Sequence, residues 1–510
     1  MLADTLAALV ARRGQLHPDR PALVSTAGGG VSYRQLAEDA ERIAGVLRSR
    51  GIAAGDRVAI LADHTLGTWR VLHGMARAGV VPVLANWRLT ADELAHIVRD
   101  AESRLVLATD RWQPLAAEVA SRCDVAAEPV DELADAPAAG PAGPFPEPDD
   151  TVVQMYTSGT TGLPKGVCTT HRNVLALLDV FTGELPGFAS DARQMVAAPL
   201  FHIAGYGFGI GSLAVGTPMH LLEQFDPAAA LAAIERHRIT HTLLVPAMLQ
   251  MVVAAPGAAG RDTSSLRGVL YGGSPMSVSL MRSVIDVLGC RLTQAYGMTE
   301  TTGIATLLRY DDHEAGLSAN CAEDGALLAS AGRPVLGTSV RIDAPDGRGR
   351  GEILVRSPMV MPGYWRRPDE TAAALDADGW LRTGDVGRID ERGYLHVVDR
   401  QKDLVISKGE NIFPGEVERV VVEHPAVVEA AVVGVPDDEY GEALCAVGEL
   451  RAGASLTLGE LQELCRGQLA GFKVPRRLEV VDVLPRTPSG KVLRRVIRDG
   501  FWADRSRQVN

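Results

Sequence analysis

The chain divides into stretches that differ in how apolar and polar residues alternate. From residue 17 to 150, apolar runs typical of buried strands (58–61 and 80–84) alternate with amphipathic helical patterns, as at 91–100. The same alternation resumes at residue 152 and continues to about residue 330. Strands that alternate with helices favour parallel sheets with helices on their faces. We therefore predict stacked α/β subdomains over this part of the chain.

The pattern changes after residue 330. Short alternating runs at 340–342, 351–356 and 394–398 are separated by Gly and Asp turns, which predicts a small β-barrel-like subdomain. Beyond residue 400 the apolar runs are mixed and compact, over a length typical of an independent α+β domain. The predicted fold class is α/β, with a large N-terminal domain at 1–399 and a small C-terminal domain at 400–510.

Composition and charge exclude several classes of function. The 510-residue chain is longer than one core supports, and its net charge of -12 argues against a nucleic-acid binder, because such proteins carry excess Lys and Arg. The six cysteines are scattered, which is typical of free thiols in a reducing cytosol. The first 13 residues have the wrong charge order for a secretory signal and predict an amphipathic helix. We expect a cytoplasmic protein with no transmembrane span.

Residues 156–167 (YTSGTTGLPKGV) offer the clearest chemistry, and a Pro-rich stretch at 129–150, interpreted as a linker, leads into them. The glycines let the backbone approach an anion, the hydroxyls add donors, and Lys165 adds a positive charge. An apolar run before the stretch predicts a strand, and the segment after Thr170 predicts a helix. The spacing is not that of the P-loop, because Gly166 follows the lysine. A plain turn is the structural alternative.

The same string resembles, nearly letter for letter, the signature of the adenylate-forming (AMP-binding) superfamily. This superfamily includes acyl-CoA synthetases, coumarate-CoA ligases, luciferases and peptide-synthetase adenylation domains. The resemblance covers nearly the whole chain and implies ATP and Mg²⁺ as cofactors and CoA as co-substrate. The residues that it assigns to ATP or AMP binding are Thr157, Ser158, Gly159, Thr160, Thr161, Gly162, Lys165, Gly272, Gly273, Ser274, Pro275, Tyr296, Gly297, Met298, Asp385 and Arg400.

The motif at 294–301 (QAYGMTET) combines an aromatic face for a purine, a hydroxyl for a phosphate oxygen and a carboxylate suited to Mg²⁺. The resemblance implies that Tyr296 flanks adenine and that two catalytic residues follow, Thr299 at the phosphate and Glu300 at the metal. The segment 272–275 is similar to the family's glycine-rich adenine loop.

The C-terminal part contains the remaining motifs. Asp385, at an expected tight turn, resembles the family's ribose-binding aspartate, and Arg400 would contact ribose or phosphate. The resemblance implies that the small domain swings about a hinge at Lys402. It also implies that Lys491 bridges the substrate carboxylate and the α-phosphate as the main catalytic lysine. Lys408, Gly409 and Glu410 would line the CoA tunnel, although Lys408 departs from the glycine that the family usually has there.

The acyl pocket is expected to be apolar. By resemblance its lining residues are His202, Ile203, Ala204, Gly205, Val245, Met248 and Ile304. Amino-acid-activating relatives have an aspartate at the position of His202, and aryl-acid relatives tend to have asparagine, so we assign this histidine to pocket lining and gating. Small residues at 204, 205, 207 and 209 are expected to leave room for an extended chain or a fused ring.

These observations predict an AMP-forming acyl-CoA synthetase for a lipophilic acid, whether fatty, aromatic or ring-fused. An alternative within enzymes is a ligase that loads the phosphopantetheine of a carrier protein. An alternative of another class is a catalytically idle protein that binds an acyl group or a nucleotide. The expected partners are the carboxylic acid, ATP and CoA, with a carrier protein and a second copy of the chain in a homodimer as further candidates.

The role of Lys491 can be tested by separating the two half-reactions. Lys491→Ala should suppress adenylate formation, because charge gathers at the α-phosphorus in that step, while thioester formation from supplied acyl adenylate is spared. Each half-reaction would be followed on its own, by pyrophosphate release and by thioester yield. Equal loss in both would contradict the role.

Overall fold

The computed structural model describes residues 3–157, 164–185, 187–318, 327–400, 403–407, 410–437, 441–486 and 492–503. Predicted site residues that lie outside these ranges are Ser158, Gly159, Thr160, Thr161, Gly162, Lys402, Lys408, Gly409 and Lys491, and only the backbone is described for Arg400 and Glu410. The chain divides into two compact units, the first formed by Met1–Val340 with Val355–Leu381 and the second by Arg341–Leu354 with Arg382–Asn510. The domain boundary at residues 399 and 400 stays a prediction.

Helices and strands alternate along most of the chain. The helices are α1 (Leu6–Leu16), α2 (Tyr33–Ser49), α3 (Leu66–Ala78), α4 (Ala91–Asp100), α5 (Gln113–Cys123), α6 (Val130–Ala134), α7 (His171–Glu184), α8 (Ile203–Val215), α9 (Pro227–His237), α10 (Pro246–Val253), α11 (Val278–Leu288), α12 (Tyr310–Ser318), α13 (Pro368–Ala374), α14 (Pro414–Val421), α15 (Leu458–Gln468) and α16 (Arg494–Trp502). The strands are β1 (Pro21–Ser25), β2 (Gly30–Ser32), β3 (Arg57–Leu61), β4 (Val81–Leu84), β5 (Ser103–Ala108), β6 (Ala126–Pro129), β7 (Thr151–Thr157), β8 (Lys165–Thr170), β9 (Gln194–Val196), β10 (Met219–Leu221), β11 (His241–Leu243), β12 (Gly268–Gly272), β13 (Arg291–Tyr296), β14 (Thr306–Leu308), β15 (Arg333–Pro334), β16 (Ser339–Asp343), β17 (Gly351–Arg356), β18 (Gly363–Tyr364), β19 (Leu381–Ile389), β20 (Leu395–Arg400), β21 (Val405–Ser407), β22 (Glu410–Ile412), β23 (Val427–Asp437), β24 (Gly441–Leu450) and β25 (Arg477–Val481).

Two large sheets form the first unit. One has the strand order β18-β8-β7-β4-β3-β5-β6, and the other has the order β15-β14-β13-β12-β11-β9-β10-β1-β2. Their central strands pair in parallel, whereas β8, β14 and β2 pair antiparallel to their neighbours. The largest apolar cluster takes residues from both sheets and from helices α2, α3, α7 and α8. The prediction of stacked α/β subdomains is therefore confirmed.

Local signals in the sequence explain where several of these elements begin. A capping box between Thr170 and Asn173 starts α7 directly after β8, and similar boxes start α2 and α4. The strand and the helix predicted around residues 156–167 are confirmed as β7 and α7. The antiparallel strand β8 between them was not predicted, because its residues Lys165–Thr170 mix polar and apolar side chains.

The predicted linker is tied to the first unit. It begins with α6, and its later backbone carbonyls accept hydrogen bonds from arginines: Arg77 donates to Pro144 O at 3.0 Å and to Gly143 O at 2.9 Å. Arg70 forms an ion pair with Asp135 at 2.7 Å. These arginines satisfy part of the backbone of a segment that forms neither helix nor strand between α6 and β7, and the interpretation as a linker stays a prediction.

Helix α8 is closely packed through its glycines. A Cβ at Gly205 would lie 2.2 Å from the carbonyl oxygen of Pro199, and a Cβ at Gly209 would lie 2.3 Å from the ring of Trp69. The space beside both glycines is thus occupied by protein atoms. The expectation that they leave room for an acyl chain is wrong, because their small size serves the approach of neighbouring elements.

The second unit contains two smaller sheets. Strands β16-β17-β19-β20 form one, which corresponds to the predicted β-rich subdomain, and β22-β21-β24-β23 with β25 form the other. The hairpin of β23 and β24 pairs along its whole described length. Helices α14 and α15 contribute to an apolar cluster on that sheet, and residues of α16 pack against a separate cluster. The predicted α+β character of the C-terminal region is confirmed.

Two expectations from composition also bear on the described residues. Cys123, Cys168, Cys290, Cys445 and Cys465 are free thiols, as predicted, and the sixth cysteine, Cys321, lies outside the described ranges. None of the described helices combines the length and the apolar composition that crossing a bilayer requires.

The packing of α8 predicts the effect of a single added methyl group. Gly209→Ala should destabilise the protein by about 1–3 kcal/mol, because the new Cβ meets the fully buried ring of Trp69. The control is Gly183→Ala in α7, where the nearest atom is 4.0 Å from the new Cβ. Gly183→Ala should leave the free energy of unfolding unchanged or raise it by up to about 1 kcal/mol, because alanine favours the helix more than glycine does. Equal midpoints of thermal unfolding for both variants would contradict the packing account.

Candidate active site

The hairpin of β7 and β8 carries the first group of predicted residues. Thr157, the last residue of β7, faces Lys165, the first residue of β8, across the antiparallel ladder. Both side chains are half-buried. The five predicted residues at 158–162, in the loop between these strands, lie outside the described ranges. The hairpin therefore holds the hydroxyl and the cation of the predicted phosphate site in cross-strand register.

The ends of β12 and β13 bring two further motifs together. Gly272 pairs with Ala295 in the parallel ladder, and a Cβ at Gly272 would lie 2.4 Å from the carbonyl oxygen of Ala295. Gly273 follows with a φ of +81°, a conformation that favours glycine. The predicted adenine loop, which continues through Ser274 and Pro275, thus starts beside the strand that ends at Tyr296. Carboxyl ends of parallel strands are where α/β proteins bind ligands.

A tight turn after β13 presents the predicted metal carboxylate. A Cβ at Gly297 would lie 2.5 Å from the carbonyl oxygen of Gly303, so the turn requires a glycine at this point. Met298 donates its backbone N–H to Thr301 Oγ1 at 3.0 Å, and Thr299–Thr301 form one turn of 3₁₀-helix. Glu300 lies in the middle of that turn and is 5% exposed.

Glu300 connects this turn to the β7–β8 hairpin. Its Oε1 accepts hydrogen bonds from the Tyr364 hydroxyl at 3.0 Å and from Thr157 Oγ1 at 3.4 Å. Its backbone carbonyl accepts the N–H of Met361 at 2.9 Å. The first and second predicted motifs, which lie more than a hundred residues apart in sequence, therefore meet at one carboxylate.

Tyr364 is a site residue that the sequence analysis missed. Besides its hydrogen bond to Glu300, its ring lies 5.2 Å from Lys165 Nζ, within the range of a cation–π interaction. Burial, and then the negative charge of Glu300, raise the pKa of the Tyr364 hydroxyl, so it remains a donor at neutral pH. The adjacent aromatic pair Tyr364 and Trp365 after Gly363 is the signal that could have identified it.

The carboxylate of Glu300 fits Mg²⁺. Within the described ranges, no three His, Cys, Asp or Glu side chains gather into a metal-binding cluster. Mg²⁺ does not need one, because it is commonly held by one or two carboxylates together with substrate phosphates. A single buried carboxylate beside the hairpin predicted to bind phosphate is that kind of donor set.

Asp385 and Arg400 are brought together within the second unit. They face each other across the antiparallel pair of β19 and β20. Asp385 was expected at a tight turn, but it lies inside strand β19, where Gly384 has a φ of +70°. Thr383 Oγ1 accepts the backbone N–H of Asp385 at 3.1 Å. The expectation of a turn is wrong, because the irregular glycine is absorbed within one continuous strand.

An ion cluster anchors the chain next to Arg400. Arg494, on α16, contacts Asp399 at 2.7 Å and Asp403 at 3.3 Å and donates from Nε to Glu418 Oε1 at 2.8 Å. Asp399 also accepts the N–H of Gly415 at 2.6 Å. Burial raises the pKa of Glu418, and the Arg494 charge opposes that shift. The segments on either side of the predicted hinge are thus tied to α14 and α16 in the second unit.

The predicted acyl residues divide between two apolar clusters. Ile203 and Ile304 are buried in the largest cluster, and Ala204 packs against it. Met248 is buried in a second cluster, against which Val245 packs. Both clusters lie in the first unit, but the structure does not gather all five side chains into one cluster.

His202 caps the first turn of α8. Its Nδ1 accepts the backbone N–H of Ala204 at 3.1 Å, so the neutral ring carries its proton on Nε2. Its preceding neighbour Phe201 meets the ring of Trp87 edge-on at 5.5 Å, and Trp87 stacks on Trp112 at 4.2 Å. This half-buried aromatic group beside His202 was also missed in the sequence, although tryptophan is rare in the chain.

Comparison with known proteins gives full-length matches. The model of the AMP-binding enzyme family matches residues 10–365, and that of the AMP-binding enzyme C-terminal domain matches residues 416–491. The chain is 38% identical to the fatty acid–[acyl-carrier-protein] ligase ScoC of Streptomyces coeruleorubidus, covering 99% of this chain and 98% of that protein. It is 39% identical to a feruloyl-CoA synthase of Amycolatopsis sp, covering 96% and 98%. The solved o-succinylbenzoate-CoA synthetase (MenE) of Bacillus subtilis in complex with ATP and magnesium ion superimposes with a TM-score of 0.83 at 32% identity, covering 96% and 98%.

Proposed function

Because the chain belongs to the AMP-binding enzyme family, we propose that it converts a lipophilic carboxylic acid to an acyl adenylate and then transfers the acyl group to CoA. The observation that carries this proposal is the meeting of Thr157 and Glu300 at 3.4 Å, with Lys165 facing Thr157 across the hairpin. A phosphate-binding hydroxyl, a cation and a metal-binding carboxylate are thereby adjacent.

The class of enzyme follows from the family. The protein is an ATP-dependent, AMP-forming acid–thiol ligase, and the predicted use of ATP, Mg²⁺ and CoA is confirmed by the family match and by full-length relatives. The predicted resemblance to the adenylate-forming superfamily is confirmed as well.

The chain's residues supply the electrostatic part of adenylate formation. A carboxylate oxygen attacks the α-phosphorus of ATP, the bond to pyrophosphate breaks, and negative charge accumulates during the exchange. Lys165 would stabilise that charge from the first position of β8. Mg²⁺, held by Glu300, would neutralise phosphate oxygens. A thiol then attacks the acyl carbon and AMP departs.

The acid is expected to be lipophilic. Ile203, Ile304 and Met248 of the predicted pocket are apolar and buried. By resemblance, His202 stands where amino-acid-activating relatives have an aspartate that pairs with the substrate ammonium group. The feruloyl-CoA synthase relative acts, by its name, on an aromatic acid, and ScoC acts on a fatty acid. Both are acids of the proposed class.

A carrier-protein thiol is the second candidate acceptor. The observation that favours it is the match to ScoC, a ligase of fatty acids to an acyl carrier protein, over 99% of this chain.

The predicted roles of Lys402, Lys408, Gly409, Glu410 and Lys491 stay predictions, as do a cytoplasmic location and a homodimer. The idle alternative is disfavoured by the contacts that unite Thr157, Tyr364 and Glu300.

The proposal is tested by pyrophosphate release from ATP and Mg²⁺ over a panel of fatty, aromatic, ring-fused and amino acids. Each acid is assayed alone, with CoA, and with a phosphopantetheinylated acyl carrier protein. We expect multiple turnovers with lipophilic acids when CoA is present, and none with amino acids. Glu300→Gln is the inactive control.

Other results would change the conclusion. Turnover with the carrier protein but not with CoA would favour the second acceptor. Turnover with amino acids would contradict the proposed acid. Binding of ATP without pyrophosphate release from any acid would support the idle alternative.

A further inference from the structure

Tyr364 contacts both of the charged groups that the proposed reaction needs. Its hydroxyl donates to Glu300 Oε1 at 3.0 Å, and its ring lies 5.2 Å from Lys165 Nζ. We propose that Tyr364 is a positioning residue for the first half-reaction, which sets the metal-binding carboxylate and the phosphate-binding lysine relative to each other. This inference rests on the proposed function, because it concerns the same site.

The backbone of Tyr364 is fixed to the hairpin that carries Lys165. Strand β18 pairs with β8, with Tyr364 opposite Val167, and Trp365 donates its N–H to Gly166 O at 2.7 Å. Tyr364 donates its own N–H to Thr371 Oγ1 at 3.0 Å. The tyrosine and the lysine thus belong to neighbouring strands of one sheet, so the backbone from which the ring projects is fixed relative to the lysine.

The turn before Tyr364 also depends on a glycine. Gly363 has a φ of +156°, and a Cβ there would lie 2.7 Å from Thr371 Cγ2. The close approach of Thr371 and the hydrogen bonds of the ladder therefore restrict the backbone conformation at Tyr364.

A second anchor ties the same segment to the end of β7. The Arg57 guanidinium lies 3.1 Å above the ring of Trp365, and Trp365 Nε1 donates to Asp100 O at 3.2 Å. The carboxylate of Asp100 accepts the hydroxyl of Tyr156 at 2.7 Å. Tyr156 directly precedes Thr157, whose hydroxyl also donates to Glu300. Tyr364 and Thr157 are consequently held by one connected set of contacts.

The two contacts of Tyr364 can be separated by substitution. Tyr364→Phe removes the hydrogen bond to Glu300 and keeps a ring beside Lys165, whereas Tyr364→Leu removes both. Hydrogen bonds to charged groups are among the stronger ones in proteins. Losing this one in Tyr364→Phe should raise the Mg²⁺ concentration that gives half-maximal pyrophosphate release on the order of 10-fold. In that variant the KM for ATP at saturating Mg²⁺ should stay within about 2-fold of the native value, because the cation–π contact is kept. Tyr364→Leu should raise the KM as well, by roughly 3- to 10-fold.

A binding measurement supplies a readout that does not depend on turnover. Mn²⁺ is used as the probe, and its affinity for the enzyme–ATP complex is measured by electron paramagnetic resonance. We expect Tyr364→Phe to weaken Mn²⁺ binding by a factor similar to the rise in Mg²⁺ requirement, measured at a temperature where both proteins are fully folded.

The matched control is Tyr310→Phe in the same unit, whose ring lies 4.4 Å from the Arg291 guanidinium. It should change neither the metal requirement nor Mn²⁺ affinity. Native Mn²⁺ affinity in Tyr364→Phe would overturn the proposal, and so would a lowered unfolding midpoint without any change in metal binding. If the native enzyme releases no pyrophosphate, the proposed function fails, while Mn²⁺ and ATP binding still decide the role of Tyr364.

Discussion

A buried carboxylate must be compensated by donors or cations, and the centre of the first unit is arranged around that constraint at Glu300. The side chain is 5% exposed and is held by two hydroxyls from separate parts of the chain. These hydroxyls satisfy part of the hydrogen-bonding capacity of the carboxylate, and its proposed role is to hold a divalent cation. The surrounding loops and strands serve to bring those two hydroxyls to one oxygen.

Glycines make this convergence sterically feasible. Gly272 lets the predicted adenine loop leave β12 against the backbone of β13, and Gly297 lets the turn that carries Glu300 fold back on Gly303. Gly363 permits the bend that delivers Tyr364. At each of these positions a Cβ would lie under 3 Å from another atom, so the backbone approach itself selects the residue. The glycines of α8 act similarly, but they admit neighbouring protein atoms and not a substrate.

Much of this arrangement could be predicted from the chain alone. The α/β alternation predicted the stacked α/β subdomains, and the resemblance to a known family predicted roles for Thr157, Lys165 and Glu300 before any contact was known. Tyr364 was missed because residue types alone do not show its contact with a residue 64 positions away. The contacts of the predicted linker were missed for a related reason, because the arginines that make them lie in α3, far away in sequence. The roles of Asp385 and Arg400 stay predictions, and a turn was expected at Asp385 because a strand with an irregular glycine resembles a turn when only residue types are read.

The account stands on the formation of an acyl adenylate, and oxygen transfer tests that step most directly. The enzyme would be supplied with ATP, Mg²⁺, CoA and a lipophilic acid labelled with ¹⁸O in its carboxylate, and the nucleotide and pyrophosphate would be analysed by mass spectrometry. Attack of the carboxylate on the α-phosphorus predicts that AMP acquires one labelled oxygen and that pyrophosphate acquires none. Label in inorganic phosphate with ADP as the nucleotide product, or unlabelled AMP after thioester formation, would contradict the account.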